Sequence, residues 1–429
     1  MCRSVNLAIR NVRLVDPASG RDEVTDFVVR DGVIQPPGAN CTGLELRNGE
    51  GCVVAPGLWD VHVHFRDPGN PAAETTQTGA AAAAAGGFTH VVTMPNTSPA
   101  CDNAEQIRAQ LDSSFPVRIL PSGCVTKGRA GEELAALASL SDAGASSFTD
   151  DGNMVVSDEL MVRAMAFAQS VGKPVMDHAV VPLIAQGGVI RDCPLARENG
   201  WRIFPPEAEV EAAKRDIRLC GQTGCRTDIQ HISCGETVRL IREARARGVP
   251  VTGEATPHHL SIAVEDVPGD DAGYKMNPPL GTRGDVAAIR QGVLDGTLSL
   301  FATDHAPHTA ESKAAGFAHA PFGIIGLETA LGVTWRVMVD EMRMPPLDFF
   351  NRWVVGPAHL LGVAPTRLDA GNVADFVLIG TRGPWTVDPS RFRSKSRNQP
   401  YTGWTLPVRP LLTVCEGRET FREKTGEQR

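Results

Sequence analysis

No two cysteines in this chain are spaced C-x-x-C, although ten are scattered at positions 2, 41, 52, 101, 124, 193, 220, 225, 234 and 415. The pattern argues against zinc held by paired thiolates and against a disulfide framework, because long intracellular chains keep such cysteines reduced as small core residues. No apolar run reaches the ~18–20 residues that a membrane-spanning helix needs. The alanine run from Ala80 to Ala85 reads as a helix segment between glycines. The amino-terminal MCRSVNLAIRNVRL lacks the continuous apolar stretch and cleavage site of a signal peptide. A basic surplus is absent too. With 42 Lys and Arg against 50 Asp and Glu, the formal charge is −8, which argues against nucleic acid or an anionic membrane as partner. These absences predict a cytoplasmic protein.

What is present is a globular composition, 42% hydrophobic and 21% charged over 429 residues, which excludes a mostly disordered chain. Such a length allows two or three domains, or one long closed α/β unit with additions. Residues 1–54 read as short strands separated by turns, with Asp31-Gly32 a hairpin dipeptide. Residues 366–429 look alike, with short strands at Ala374 to Ile379, Thr386 to Asp388 and Pro410 to Glu416, so the two ends are expected to pair into one small β domain. Between them, over 55–365, apolar strand-like runs alternate with helical segments. The runs are Cys52–Pro56 leading into Val61–His64, Thr89–Thr93, Val117–Pro121, Ser146–Thr149, Pro174–Asp177, Asp228–His231, Val249–Gly253 and Ser299–Thr303. The helical segments include Glu132–Leu140, Asp158–Ser170, Glu207–Gly221 and Glu236–Arg247. Eight strands alternating with helices predict a parallel (β/α)8 barrel, although an open doubly wound sheet fits the alternation alone. The long intervals 179–227 and 254–298 are expected to hold loop insertions or extra helices.

Most of these runs end in residues that can do chemistry. Val61-His62-Val63-His64 ends the first, and two histidines at i and i+2 share one strand face and can hold one metal ion. Met94-Pro95-Asn96 follows the second, and the fourth ends in Thr149-Asp150-Asp151-Gly152. The fifth ends at Asp177-His178, the sixth at Gln230-His231 and the eighth at Thr303-Asp304-His305-Ala306-Pro307-His308. In a parallel barrel all strand C-termini open onto one face, so residues hundreds of positions apart converge. Taken singly, each has a plainer explanation as a core histidine, a turn or a helix cap. Repeated at five strand ends, they point to a metal site, since buried histidines and carboxylates cost free energy unless paired or metal-bound. Four histidines and two carboxylates without thiolates suit Zn²⁺, and also Mn²⁺, Fe²⁺ or Co²⁺. Six ligands exceed one tetrahedral site, so two ions bridged by a carboxylate and a hydroxide are expected. Such a pair makes hydroxide available near neutral pH and polarises a carbonyl. A further carboxylate must carry the proton to the leaving nitrogen, and Asp304 is the candidate.

At these residues the chain resembles the amidohydrolase superfamily and, more narrowly, the bacterial class I dihydroorotases. The resemblance runs through Pro56-Gly57-Leu58-Trp59-Asp60-Val61-His62-Val63-His64-Phe65-Arg66-Asp67-Pro68-Gly69, Met94-Pro95-Asn96-Thr97 and Phe148-Thr149-Asp150-Asp151-Gly152. It continues through Thr256-Pro257-His258-His259-Leu260, Tyr274-Lys275-Met276-Asn277-Pro278-Pro279-Leu280, Ala302 to His308 and Ala320-Pro321-Phe322-Gly323. H-x-H marks only the superfamily, whereas its combination with the Arg66 to Gly69, Tyr274 to Pro279 and Asp304 to His308 segments is far more specific. The resemblance implies a TIM-like barrel with a small β-sandwich domain built from both chain ends. It implies reversible cyclisation of N-carbamoyl-L-aspartate to L-dihydroorotate plus water, in pyrimidine synthesis.

Carried over by position, His62, His64, Asp151, His178, His231 and Asp304 look like ligands of one or two zinc ions, two being favoured. Asp151 would stand where many relatives place a carboxylated lysine bridging two ions, with Asp150 the alternative. No lysine lies at the end of the fourth strand. The resemblance implies that Arg66 binds the substrate carboxylate bidentately, with Asn96 adding a hydrogen bond. Arg66 is expected on the same strand face as the histidines, and His308, one helical turn beyond Asp304, is expected to meet the carboxylate too. Asn277 looks like the family's ring-binding asparagine, His64 also faces substrate, and Phe322 and Gly323 would offer main-chain groups to the ring's amide edge. His258, His259 and His305 read as supporting residues, and Thr309 to His319 resembles a lid. After His178 the family continues Cys-Glu-Asp, where this chain has Ala179-Val180-Val181. The basic stretch Arg391–Arg397 reads as a solvated loop. In the implied mechanism, metal-bound hydroxide attacks the ring carbonyl C4 of dihydroorotate, and Asp304 passes the proton to the departing nitrogen. A hydantoinase or allantoinase, and a metal-free scaffold for aspartate transcarbamoylase, are the competing readings. A homodimer or larger oligomer and a partnership with aspartate transcarbamoylase are what the family implies.

Overall fold

The computed structural model describes residues 4–112 and 114–423, so Cys2 lies outside the described residues. Eight parallel strands form one sheet: Leu58–Val63, Phe88–Thr93, Arg118–Gly123, Ser147–Phe148, Val175–Asp177, Thr227–Ile229, Val251–Ala255 and Leu300–Phe301. They pair in chain order, and a parallel bridge from Val63 to His305 closes the circle into a barrel. Phe88–Thr93 is buried at every position, as expected of a strand covered by helices on one side and barrel core on the other. Phe88 and Phe301 pack on Trp353 with ring centroids 5.3 and 5.0 Å apart, locking the first helix-covered strands to the chain that follows the eighth.

The helices form where caps and periodicity agree. Asp158–Ser170 begins where the Ser157 hydroxyl accepts the Leu160 N–H, and Glu207–Thr223 ends at Gly224, whose φ of +70° a side chain would resist. Thr75 and Thr78 cap each other reciprocally to start Thr76–Ala85, whose buried alanines pack without loss of rotamer freedom. The expected helix from Glu132 begins only at Leu137, because the preceding residues turn back to pair Leu134 with Thr126. The two long intervals hold extra short helices, among them Pro182–Ala185, Pro194–Glu198 and Pro257–Ser261.

Both chain ends enter a second sheet of eight strands. Along it, Arg418–Arg422, Arg409–Cys415 and Phe376–Gly380 come from the carboxy-terminal part, and Cys52–Pro56, Leu7–Asp16, Arg21–Arg30 and Val33–Ile34 from the amino-terminal part. Glu45–Asn48 pairs with Leu7–Asp16 beside them. The sheet has its own core, in which Phe27 meets Phe376 edge-on at 5.0 Å. Asp31 and Gly32, both at positive φ, make the expected hairpin turn. One expectation is corrected here: Cys52–Pro56 does not lead the first barrel strand. It belongs to the end sheet, paired with Phe376–Gly380, and Gly57 separates it from Leu58–Val63. Among the described residues no helix is long and apolar enough to cross a membrane.

Candidate metal centre and substrate cavity

The six residues expected as ligands meet at the C-terminal mouth of the barrel. His62, on the first strand, directs Nε2 to within 3.3 Å of Asp151 Oδ1 and 3.6 Å of Asp304 Oδ1. His64 Nε2 lies 3.1 Å from Asp304 Oδ1 and 3.5 Å from Asp151 Oδ2. His178 Nδ1 and His231 Nε2 are 2.8 Å apart, and they stand 3.7 and 4.0 Å from Asp151 Oδ1. Ligand atoms of His62, His64 and Asp304 cluster within 4.8 Å of one another, as do those of His62, Asp151 and His231. His62 Nε2, Asp151 Oδ1 and His231 Nδ1 are buried without a hydrogen-bond partner. Histidine nitrogens and carboxylate oxygens converging in a buried pocket, His62 Nε2 and Asp151 Oδ1 among them unpartnered, are the donor set that a zinc-class cation takes up, so these residues fit the ion.

Asp150 and Asp151 differ in orientation. Asp150 turns away to accept the N–H groups of Val125 and Thr126, at 2.8 and 3.0 Å, and the Thr126 hydroxyl, while Asp151 faces the histidines. Burial works to raise the pKa of Asp151, but the charge of His62, with His178 and His64 close by, outweighs it and holds the carboxyl ionised. The same balance lowers Asp304: burial opposes, and the His64 hydrogen bond with the charges of His62, His64 and His231 prevails. Burial also depresses His231, reinforced by His178 and His62, which keeps that imidazole in the neutral form a ligand requires. Three site residues, Arg66, His231 and Asp304, adopt positive φ of 56°, 35° and 48°. Strained backbone at these points aims the side chains where an extended strand would not.

Beside the cluster lies a cavity of about 270 Å³, lined by His64, Arg66, Asn96, Asp151, His178, His231, Asn277, Asp304, His308, Phe322 and Gly323. Every residue expected to touch substrate is in that wall, with differences in detail. Arg66 is not on the strand, which ends at Val63; it sits in the following loop, its Nε donating to Pro307 O at 3.2 Å. His308 is not a helical turn beyond Asp304, because Thr303 to His308 is an irregular, non-helical segment held by the His305 bridges to Val63 and Ile324. The His308 ring donates from Nε2 to Phe322 O at 2.7 Å, and burial with nearby Arg66 pushes its pKa down to about 3. Asn96 accepts from His64 Nδ1 at 2.9 Å and donates to Asp151 Oδ2 at 3.2 Å, so its amide orients two ligands. Asn277, in the cavity wall, donates to His178 Nε2 at 3.0 Å, and its buried Oδ1 has no hydrogen-bond partner. The Gly323 N–H donates to Lys275 O at 3.0 Å, and its carbonyl accepts from Lys313 Nζ and Asn398.

Sequence reasoning passed over several supporting groups. Glu254, on the seventh strand, accepts from His62 Nδ1 and from the His231 N–H, both at 2.9 Å. Arg129 donates from Nη2 to Asp151 O at 2.5 Å, and Asp60 accepts the N–H groups of His62 and Thr303. Of the residues read as supporting, His259 bonds Thr256 and Pro278 O, and His305 accepts from the Gly326 N–H and faces Glu74. Val180, one of the changed residues after His178, packs with Ala185, Phe204 and Ala208, an apolar cluster that suits Ala-Val-Val. Thr309 to His319 forms two short helices, with Phe317 stacked on Trp201 at 4.6 Å.

A barrel with an end sheet is the architecture of solved hydantoinases. L-hydantoinase (dihydropyrimidinase) from Arthrobacter aurescens is similar with a TM-score of 0.84, covering 98% of this chain and 99% of that one at 24% identity. At such identity the likeness establishes the fold alone. Sequence is more specific. The family model described as Dihydro-orotase-like matches residues 51–237. The chain is 42% identical to the dihydroorotase of Pelotomaculum thermopropionicum over 98% of this chain and 99% of that protein. To the dihydroorotase of Syntrophotalea carbinolica it is 41% identical over 97% and 99%. The chain belongs to the dihydroorotase family.

Proposed function

We propose that the chain catalyses the reversible cyclisation of N-carbamoyl-L-aspartate to L-dihydroorotate and water. The observation that carries the reading is a cluster of four histidines and two aspartates beside a cavity lined by Arg66, in a chain of this family. The donor set supports zinc, which His62, His64, Asp151, His178, His231 and Asp304 would hold. Bound there, zinc would lower the pKa of water and polarise a carbonyl. The chain's own residues do the rest. Arg66 pairs with the ring carboxylate, and neutral His308 beside it, its one ring N–H given to the Phe322 carbonyl, shapes that side of the cavity without a second charge. Asn277 Oδ1 accepts from a ring N–H. As the water oxygen bonds to C4 and the C4–N bond breaks, ionised Asp304 takes the water proton and delivers it to the departing nitrogen. In the cyclising direction Asp304 returns that proton as water leaves.

The described cysteines are unpaired and mostly buried, which supports a cytoplasmic enzyme. The family supports a homodimer or larger oligomer and an association with aspartate transcarbamoylase, tested by chromatography of the protein alone and mixed with that enzyme. The activity is tested by metal analysis of the purified protein and by assays with dihydroorotate, a hydantoin and allantoin. Dihydroorotate is expected to be turned over in preference; preference for an uncharged hydantoin sinks the reading, and absence of both metal and turnover indicates a scaffold. Asp304→Asn is expected to lower kcat by at least about 10²-fold, the scale of a general acid–base group. Near-normal turnover with metal retained would remove Asp304 from that role.

A further inference from the structure

The basic stretch Arg391–Arg397 is not simply a solvated loop. From Arg391 to Asn398 exposure alternates strictly: Arg391, Arg393, Lys395 and Arg397 point outward, while Phe392, Ser394, Ser396 and Asn398 are buried. This is the period of an extended chain lying on a surface, and the surface is the rim where the first and eighth barrel strands meet. The Ser394 hydroxyl donates to Glu74, and Ser396 Oγ lies 2.8 Å from Ala73 O and 2.9 Å from His308 O. Asn398 goes furthest in. Its Nδ2 donates to Ala306 O at 3.1 Å and to Gly323 O at 3.0 Å, its Oδ1 accepts the His308 N–H at 3.2 Å, and its own carbonyl accepts the Ile325 N–H at 2.9 Å.

These bonds have a common destination. Ala306 and His308 flank Pro307, whose carbonyl holds Arg66 Nε, and His308 and Gly323 line the cavity. The two loops approach so closely that a Cβ on Gly323 would stand 2.7 Å from Ala306 Cβ and 3.0 Å from His308 Nε2. No side chain fits at Gly323, so the spacing of the loops has to be held through their main-chain groups. An asparagine, with two donors and an acceptor on one short planar group, is the side chain that can serve both carbonyls and the amide together.

We infer that Asn398 is a positioning residue for substrate binding, one that fixes the carboxylate-receiving side of the cavity through Pro307, His308 and Gly323. The inference rests on the dihydroorotase reading and goes beyond it, since Asn398 touches neither the ligand cluster nor the substrate. Three hydrogen bonds to buried main chain are lost in Asn398→Ala. The metal-loaded variant is therefore expected to raise KM for dihydroorotate about tenfold or more, with kcat within about threefold and metal content unchanged. Binding of orotate, which keeps the carboxylate, should weaken in parallel. Arg393→Ala, an outward residue of the same stretch, is expected to behave as wild type.

A folded Asn398→Ala protein with wild-type KM and wild-type orotate affinity overturns the inference, as does a fall in kcat alone. If Asn398→Ala is insoluble, Ser396→Ala decides: it frees the His308 carbonyl alone on this loop, and KM should rise about threefold, while a wild-type value rejects the role. Wild-type enzyme without turnover would reject the functional reading instead, and orotate titration of the variants would still decide whether Asn398 shapes the cavity.

Discussion

His62 is held from behind as well as in front. Glu254 accepts a hydrogen bond from its Nδ1–H, leaving Nε2 as the nitrogen that faces Asp151 and Asp304. A carboxylate in that place both selects the tautomer and strengthens the imidazole as a ligand. Glu254→Gln keeps an acceptor but loses the charge, so it is expected to weaken metal binding about tenfold, measured by competition with a chelator, with little change in melting temperature. His258 offers a different test. Burial pushes its pKa down to about 4, with Asp304 opposing and His62 assisting weakly, whereas an exposed histidine titrates near 6.5. Between those values the unfolded chain binds a proton that the folded chain refuses, so stability is full above about pH 6.5 and is lost as pH falls toward 4. The melting temperature of His258→Asn is expected to fall less than that of wild type between pH 7 and 5; parallel curves would show that His258 does not contribute. The histidines and aspartates of the cluster were legible because they recur at one place in a repeated strand pattern. Glu254 was not: it ends an apolar run alone, and its partner lies 192 residues away. Asn398 was hidden by the cations that alternate with it.

Gly57 sits where one strand of the end sheet stops and the first barrel strand begins. Its N–H donates to Asp375 O at 3.2 Å, and a Cβ there would stand 2.2 Å from Thr89 Cγ2 and 2.3 Å from Thr89 Oγ1. The two sheets therefore approach within a distance that only glycine permits. Gly57→Ala is expected to cost about 2–3 kcal/mol or more, the scale of overpacking in a dense core, read as a lower denaturation midpoint with an unchanged slope. Sequence reading ran a single strand through this point, because Cys52 to His64 is apolar on both sides of the glycine and hydrophobicity alone does not mark a change of sheet. Elements with local signals fared better. Asp158–Ser170 carries its own cap and charge pattern and forms over the expected bounds, whereas the turn that delays the helix to Leu137 depends on a pairing with Thr126.

For the whole molecule, the end sheet makes the two termini interdependent. Cys52–Pro56 lies between Leu7–Asp16 on one side and Phe376–Gly380 on the other, and the buried face behind it mixes Leu14 and Phe27 with Phe376 and Leu412. The acidic balance of −8 also takes its meaning at this scale: the proposed substrate is an anion, so attraction must be local, at Arg66 and the metal cluster, rather than a property of the net field. A chain ending at residue 365 would lose three strands of the end sheet together with Asn398, leaving the Cys52–Pro56 edge open. Such a chain is expected to appear in the insoluble fraction, since unpaired apolar edges drive aggregation; a soluble product with cooperative unfolding would show that the barrel stands without it.

That same sheet sets an order in time. A strand ending at Pro56 must wait for a partner that begins at Phe376, and at about 5–20 residues per second of synthesis the interval is roughly 15–60 s. Through that interval a nascent chain can build its barrel strands one by one while the sheet beneath them has a free edge. Asn398 emerges later still, after every residue of the histidine and aspartate cluster. Catalysis would then begin only on chains whose translation has passed Asn398, and a ribosome that stops before it would release a molecule with the cluster in its sequence but no finished pocket.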